Sequence, residues 1–277
     1  MTLSPNIAGT PFVKMHGAQN HFVIVDARHE AFAPSIDDIV EICDPDVGIG
    51  ADELIVIEPA IGAGNAFMRI FNLDGREVEA CGNATRCVAW ILLEENGGDQ
   101  VVLNTLAGEL DCHRAGHEQV SATMGKVSMG WQDVPLSEQR DTLHLGLVSG
   151  ALRDPVVLNV GNPHAVFFVD DLNEVDVATD APPIQEDSLF PDEVNVGVAQ
   201  ILSPQSMRLI VYERGAGLTM ACGSGACAAV FAAQQRGLSD SSSMQVELPG
   251  GTVVIEIRDD DTAVMTGPVA FSFSGNL

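Results

Sequence analysis

The sequence predicts an α/β (α+β) protein of two homologous domains related by a pseudo-twofold, each with strands wrapped around one central helix. Three observations carry that prediction. First, ACGNATRCVAWIL at 80–92 and ACGSGACAAVFAA at 221–233 are nearly one phrase written twice: Ala-Cys-Gly, small polar residues, a second Cys, then an apolar helical pattern. Second, further matched anchors flank both copies in the same order. Third, the surrounding segments alternate between apolar strand-like runs and Gly-containing turns, with one long helical pattern in each half.

The anchors justify the duplication in chain order. GAQNHFVIVD (17–26) answers GNPHAVFFVD (161–170): a Gly, an Asn, a His, an apolar run, then Asp. MRIFNLDGREVEA leads into Cys81 and MRLIVYERGAGLTMA into Cys222, turning at Gly75 and Gly215. Asn20 stands 61 positions before Cys81, and Asn162 stands 60 before Cys222. Downstream, TLAGEL (105–110) answers LPGGTV (248–253); Gly108 is 27 past Cys81 and Gly250 is 28 past Cys222. Four anchors in register are hard to obtain by chance. The halves meet near Gly125–Gly130, and a solenoid would need more and shorter repeats. The domains are therefore drawn as 1–125, carrying Cys81, and 126–267, carrying Cys222, with 268–277 packing back on the first.

FVIVDA, ELIVIE, FMRIFN and VVLNT read as strands in the first half. VVLNV, AVFFVD, MRLIVYE, QVELPG and TVVIEI do so in the second. Helices are expected at about 83–96 and 224–236, each stopping near a glycine, Gly97 and Gly237. A further helix is expected near 35–43, with Ser35 as N-cap and Asp37 and Asp38 in its first turn. Lys14 is placed in a loop before a strand.

Composition bounds the function. Thirteen basic against 39 acidic residues give a net charge of −26, so the chain should repel nucleic acid and anionic membrane. The acidic residues are spread among apolar segments, which argues against disorder. They predict a hydrated acidic surface adapted to high salt, with stability lost at low salt. The run Asp259-Asp260-Asp261 reads as a solvated turn. No apolar run approaches the ~18–20 residues of a membrane span, and no secretory signal is legible, so a cytoplasmic protein is expected. Six cysteines, at 43, 81, 87, 112, 222 and 227, are too few for a disulfide framework and fit a reducing compartment.

Cys81 and Cys222 each stand immediately before a helix start. A helix N-terminus carries unsatisfied N–H donors and a partial positive charge, which favours thiolate. It also receives a carboxylate: Gly82, Asn83, Gly223 and Ser224 are small where backbone N–H groups must approach a ligand. Two thiols facing one another across a cleft suit stereochemical inversion, one removing an α-proton and the other returning a proton from the opposite side. Pyridoxal phosphate would need a Schiff-base lysine, and the two lysines, Lys14 and Lys126, are poorly placed for it. A cofactor-free mechanism follows, in which helix dipoles and preorganised N–H groups stabilise the developing charge. Cys43, Cys87, Cys112 and Cys227 read as packing groups. A zinc site on 81, 87, 222 and 227 is disfavoured by C-x5-C and C-x4-C spacings. A duplicated binding module without catalysis remains open at this point; metal content and thiol titration separate it from an enzyme.

KMHGAQNHFVIVD, GIGAD (48–52), FNLDGREVEACGNATRC, NVGNPH, VNVG (194–197), YERGAGLTMACGSGAC and LPGG together resemble the diaminopimelate epimerases over nearly the whole chain. The resemblance implies a cofactor-independent two-cysteine isomerase. It would interconvert LL- and meso-diaminopimelate in lysine and peptidoglycan-precursor synthesis, in the cytoplasm, as a homodimer. An epimerase of another amino acid is the alternative. By motif, Cys81 and Cys222 are the acid/base pair. Asn20, Asn72, Asn162, Asn195 and Arg214 hold the substrate's amino and carboxylate groups. Gly82-Asn83 and Gly223-Ser224 hold the reacting carboxylate, with Glu213 also at the substrate. Glu213 and His164 tune the cysteines. No metal is implied. Several positions depart from the family pattern. Ala18-Gln19-Asn20-His21 stands for Leu-Gly-Asn-Asp, Glu53 for Gln or Gly, Arg76 for a small polar residue, Ala84 for Gly and Leu218 for Glu. Glu53 and Arg76 together are expected to reshape the far end of the substrate pocket.

Overall fold

A computed structural model describes residues 3–277. It is mixed α/β, mostly strand with few helices. Thr123–Met265 forms one compact unit, and the chain up to Ala122 forms the other together with Thr266–Leu277.

In the first unit, Pro11–Gly17 and Asn20–Asp26 form a hairpin. Asn20–Asp26 runs parallel to Glu53–Glu58, which pairs antiparallel with Ala66–Asn72. Ala66–Asn72 is parallel to Gln100–Thr105, and Gly108–Gly116 follows antiparallel. The second unit repeats this pattern within itself. Val156–Asn159 and Pro163–Phe168 form the hairpin, and Asn195–Ser203 runs parallel to its second strand. Ser206–Glu213 pairs antiparallel with that strand and parallel with Ser243–Leu248, and Gly251–Ile257 follows antiparallel. Strand for strand, the two units have one topology.

The apolar runs are continuous because both faces of these strands are covered. Phe22, Ile24, Ile55, Ile57, Met68 and Ile70 pack on the helix Gly82–Asn96. Val23, Val25, Leu54 and Val56 face the other way, onto Ile39 and Ile42 of the helix Ile36–Cys43. In the second unit Val156, Leu158, Val166 and Leu209 pack on the helix Gly223–Gln235, while Val157, Phe167, Val196 and Val198 form a separate core. The sequence GSGACAAVFAAQQ suits that place: its small residues let strands approach a helix buried almost all round.

The helix ends follow their sequence signals. Gly97 closes the first central helix at φ 64°, in the left-handed region that glycine enters freely. Gly237 adopts φ 67° one residue beyond the last cap of the second. Ser35 caps Ile36–Cys43 in a reciprocal box with Asp38, worth about 1 kcal/mol. Asp38 also accepts from Ser4 N at 2.8 Å and Ser4 Oγ at 2.9 Å. Burial opposes ionisation of this carboxyl, but the bonds from Ser35 and Ser4 win and hold it at about 2. Asp259–Asp261 is an exposed turn.

Two expectations are corrected. Lys14 lies inside the strand Pro11–Gly17, because Val13 and Met15 alternate with it into a core; its Nζ donates to Ile49 O at 3.0 Å. Arg76 does not reach toward Glu53: its side chain is 77% exposed and pairs with Asp74 within the turn. Cys43, Cys87, Cys112 and Cys227 are buried among apolar side chains.

Candidate active site

Cys81 is the N-cap residue of Gly82–Asn96, with extended backbone (φ −144°, ψ 109°). Thr85 N donates to Cys81 O at 2.9 Å, so the N–H groups before Thr85 are not used by the helix ladder. The hairpin brings Asn20 to the thiol: Asn20 Oδ1 lies 3.8 Å from Cys81 Sγ and accepts from Asn83 Nδ2 at 3.2 Å. Asn20 Nδ2 in turn donates to Asp52 Oδ2 at 3.2 Å, and the same oxygen accepts from His21 N at 2.7 Å. Asn20 thus starts its strand with its amide fixed at both ends. The turn that aims it is strained. Ala18 (φ 52°) and Gln19 (φ 61°) both sit in the left-handed region that a two-residue hairpin demands, without a glycine.

Beneath this, Arg86 is fully buried. Its Nη2 donates to Asn83 Oδ1 at 2.9 Å and its Nη1 to Gly82 O at 3.4 Å, locking the first helical turn. Glu53 and Asn72 lie opposite one another on paired strands. The Glu53 carboxyl is close enough to the Cys81 thiol for its charge to act on it. Burial first, then the charge of Glu53, push that thiol well above its ordinary value; the N–H groups of Ala84 and Asn83 pull the other way. Glu53 therefore borders the thiol itself rather than a distant end of a pocket.

The second unit builds its counterpart from the same elements. Cys222 caps Gly223–Gln235 (φ −120°, ψ 107°), and Ala226 N makes the first bond back to Cys222 O, at 3.0 Å. Ser224 Oγ lies 3.6 Å from Cys222 Sγ and 3.1 Å from His164 Nε2. His164 Nε2 is also 2.9 Å from Asn162 Oδ1, an acceptor only, which places the ring hydrogen on Nε2. His164 is fully buried; burial and then Arg214 depress it to about 3, so the ring is neutral. Glu213 accepts a hydrogen bond from Thr219 Oγ1, and burial raises its carboxyl above the ordinary range. Burial and the charge of Glu213 raise Cys222 in turn. Asn195 is buried, donating to Pro163 O at 3.0 Å and accepting from Arg214 N at 2.9 Å. Arg214 Nη1 donates to Asp192 O at 2.7 Å. A Cβ on Gly225 would lie 2.9 Å from Val211 Cγ2, on a stiff β-branched neighbour, while one on Gly223 would meet the flexible end of Met265 at 2.9 Å.

Each unit therefore gathers its own candidate residues. Asn20, Gly82 and Asn83 stand at Cys81, with Asn72 opposite Glu53 on the paired strand; Gly223 and Ser224 stand at Cys222 with His164 and Asn162 behind them and Glu213 near enough to raise the thiol, while Asn195 is held by Pro163 and Arg214 and the Arg214 side chain turns to Asp192 O. Sequence reasoning missed Asp52, Arg86 and Thr219 as supports. Arg86 alone left a trace, an arginine at i+3 from Asn83 and the one charged residue of its helix before Glu94.

A family model described as diaminopimelate epimerase matches residues 12–130 and 156–272. A diaminopimelate epimerase of Acidiphilium cryptum is 47% identical over 270 residues, covering 98% of this chain and 97% of that protein. One from Phenylobacterium zucineum is 46% identical over 273 residues, covering 97% and 98%. In fold, the structure of a predicted epimerase from Pseudomonas aeruginosa matches with TM-score 0.69 at 17% identity, over 97% of this chain and 99% of that one. With both halves matched and near-half identity along almost its whole length, the chain belongs to the diaminopimelate epimerase family.

Proposed function

We propose that this isomerase interconverts LL- and meso-diaminopimelate with Cys81 and Cys222 as the two proton-transferring groups. The observation that carries the reading is the matched pair of thiols. Each stands at a helix N-terminus whose first N–H groups are unspent by the helix, and each has a carboxyl near enough to raise it by its charge. Inversion at one carbon requires that the two thiols reach opposite faces of it.

A buried thiol held above its ordinary value is a poor base until its proton has somewhere to go. Glu213, itself raised by burial, supplies that place for Cys222: the S–H bond breaks as an O–H bond forms, and the negative charge moves instead of being created. The thiolate then takes the α-proton. The charge that develops on the substrate carboxylate is met by the N–H groups at Gly82-Asn83 and Gly223-Ser224, where each preorganised donor is worth about 3–4 kcal/mol. Asn20, Asn72, Asn162, Asn195 and Arg214 bind the substrate's amino and carboxylate groups. Neutral His164, with Nε2 committed to Asn162 and Ser224, orients the Ser224 hydroxyl beside Cys222. The reading places the enzyme in the cytoplasm as a homodimer; among the described residues no helix is long and apolar enough to cross a membrane.

LL-diaminopimelate incubated in deuterium oxide should yield meso product with deuterium at the α-carbon. Cys81→Ala and Cys222→Ala should each abolish epimerisation. Turnover by either variant at a tenth of the parent rate would refute the two-thiol mechanism, and turnover of only other amino acids by the parent would refute the substrate.

A further inference from the structure

We infer that Arg86 and Asp52 are positioning residues for Cys81: from opposite ends of one hydrogen-bond chain they hold the Asn20 amide with its carbonyl oxygen toward the sulfur, so that Cys81 waits as a proton donor. The inference deepens the epimerase reading and rests on it for the role of Cys81.

The chain runs atom by atom through the first unit. Arg86 Nη2 donates to Asn83 Oδ1 at 2.9 Å, Asn83 Nδ2 to Asn20 Oδ1 at 3.2 Å, and Asn20 Nδ2 to Asp52 Oδ2 at 3.2 Å. A guanidinium only donates and a carboxylate only accepts, whereas a carboxamide donates at one end and accepts at the other. The two charged ends therefore leave the two amides a single orientation. Turning either one over would set N–H against N–H at one joint and oxygen against oxygen at the next. With Asn20 so held, what it offers the thiol is an acceptor: Cys81 Sγ donates to Asn20 Oδ1 at 3.8 Å.

The surroundings suit that chain. Arg86 is fully buried, and a buried guanidinium is costly unless its hydrogen bonds are made. Gly17 pairs with Asn20 across the hairpin, and a Cβ there would lie 3.2 Å from Arg86 Nη2 and 3.3 Å from Asn83 O, so a glycine lets the hairpin close over the first joint. At the other end Asp52 Oδ2 also accepts from His21 N at 2.7 Å, which anchors the carboxylate to the backbone of the same hairpin. Burial, then the charge of Glu53, also keep the proton on Cys81. The second unit differs. Asn162 turns its Oδ1 to His164 Nε2 at 2.9 Å, and the group beside Cys222 Sγ is the Ser224 hydroxyl, at 3.6 Å. A hydroxyl can donate as well as accept, so the two thiols have unlike neighbours.

The test is the rate at which iodoacetamide alkylates Cys81, read by peptide mass spectrometry across pH. Once released, the Asn20 amide can turn its N–H toward sulfur and favour the thiolate, lowering the thiol by about one pKa unit and speeding alkylation about tenfold at neutral pH. Arg86→Met and Asp52→Ala should both show this. Charge alone predicts opposite signs: losing the cation would slow alkylation and losing the anion would speed it. Asp52→Asn loses the charge but keeps an oxygen for His21 N and Asn20 Nδ2, and should alkylate at the parent rate. Glu53, Cys43, His16 and His21, the titratable groups on the neighbouring strand, helix and hairpin, stay in place in every variant. kcat/KM for deuterium incorporation should fall about tenfold in Arg86→Met and in Asp52→Ala, and no further in the double variant, because one amide is released only once. A merely structural role would lower stability and leave alkylation unchanged. Slower or unchanged alkylation in Arg86→Met or Asp52→Ala, equal acceleration by Asp52→Asn and Asp52→Ala, or additive losses in the double variant overturn the inference. If Arg86→Met does not fold, the two substitutions at exposed Asp52 decide alone. Failure of the parent to incorporate deuterium overturns the epimerase reading instead, and the alkylation rates still decide the chain.

Discussion

Gly225 offers a sharp test of how closely the Cys222 thiol is fitted. A methyl there would lie 2.9 Å from Val211 Cγ2, 3.2 Å from Cys222 Sγ and 3.4 Å from Cys222 Cβ. Carbon atoms rest comfortably at about 3.5–4.0 Å, so something must move by roughly half an ångström. Val211 is β-branched and nearly fully buried, and it gives little. The sulfur is what shifts. Gly225→Ala gains up to ~1 kcal/mol of helix propensity and loses ~1–3 kcal/mol to overpacking, a net loss of about 0–2 kcal/mol. Since a misplacement of about 1 Å costs ~100-fold in rate, a shift of a few tenths of an ångström should lower kcat about tenfold with KM nearly unchanged. Urea titration and deuterium incorporation read the two effects. The matched position in the first unit is Ala84, whose methyl already fits among fully buried neighbours. Ala84→Gly should cost about 1–2 kcal/mol of stability. A Gly225→Ala protein as stable and as fast as the parent would refute the claim that this contact positions the sulfur.

Three further outcomes are expected. Arg86→Met keeps the buried stem but removes the charged donor to Asn83 at 2.9 Å; stability should fall by about 2 kcal/mol and KM should rise as Asn83 and Asn20 loosen, whereas unchanged KM would show that this support does not reach the site. His164 is held at about 3 against an ordinary value of 6.5, so the unfolded chain binds its proton first as pH falls; stability should drop by roughly 1.4 kcal/mol per pH unit below about 6.5, and His164→Asn should remove that slope from urea midpoints taken between pH 7 and 4. Asp38 is held at about 2, below its ordinary 3.8, so its contribution is full at neutral pH and lost as pH falls from about 3.8 toward 2; Asp38→Asn should lower stability by about 2 kcal/mol at pH 7, and a melting point equal to the parent's would contradict the cap described for Ile36–Cys43.

Much of the fold was legible because its signals are local. ELIVIE and FVIVDA each carry four apolar residues in a row, Leu54 to Ile57 and Phe22 to Val25, as strands covered on both faces must, and the paired Cys-Gly phrases marked both central helices and their starts. Strands such as Gln119–Lys126 were missed: QVSATMGK mixes polar, small and glycine residues, and only pairing with Gly108–Gly116 makes it a strand. Lys14 was misplaced for the same reason, since one lysine masked the alternation of Val13 and Met15. In the site, Asn20 and Asn83 stand at Cys81, and Ser224, with His164 and Asn162 behind it, stands at Cys222. What sequence did not carry is which atom meets which. The approach of Asn20 to Cys81 spans 61 positions and depends on a left-handed turn, and only the pairing of strands sets Glu53 opposite Asn72.

The strand-for-strand repeat makes the protein its own control. Any substitution in one unit has a counterpart in the other, on the same strand, in the same sample and at the same concentration. Differences between counterparts then report the separate duties of the two thiols, free of differences between preparations or species. Divergence inside the chain becomes a record of specialisation: where Ala84 and Gly225, or Glu53 and Asn195, no longer agree, one ancestral design has been asked to do two things.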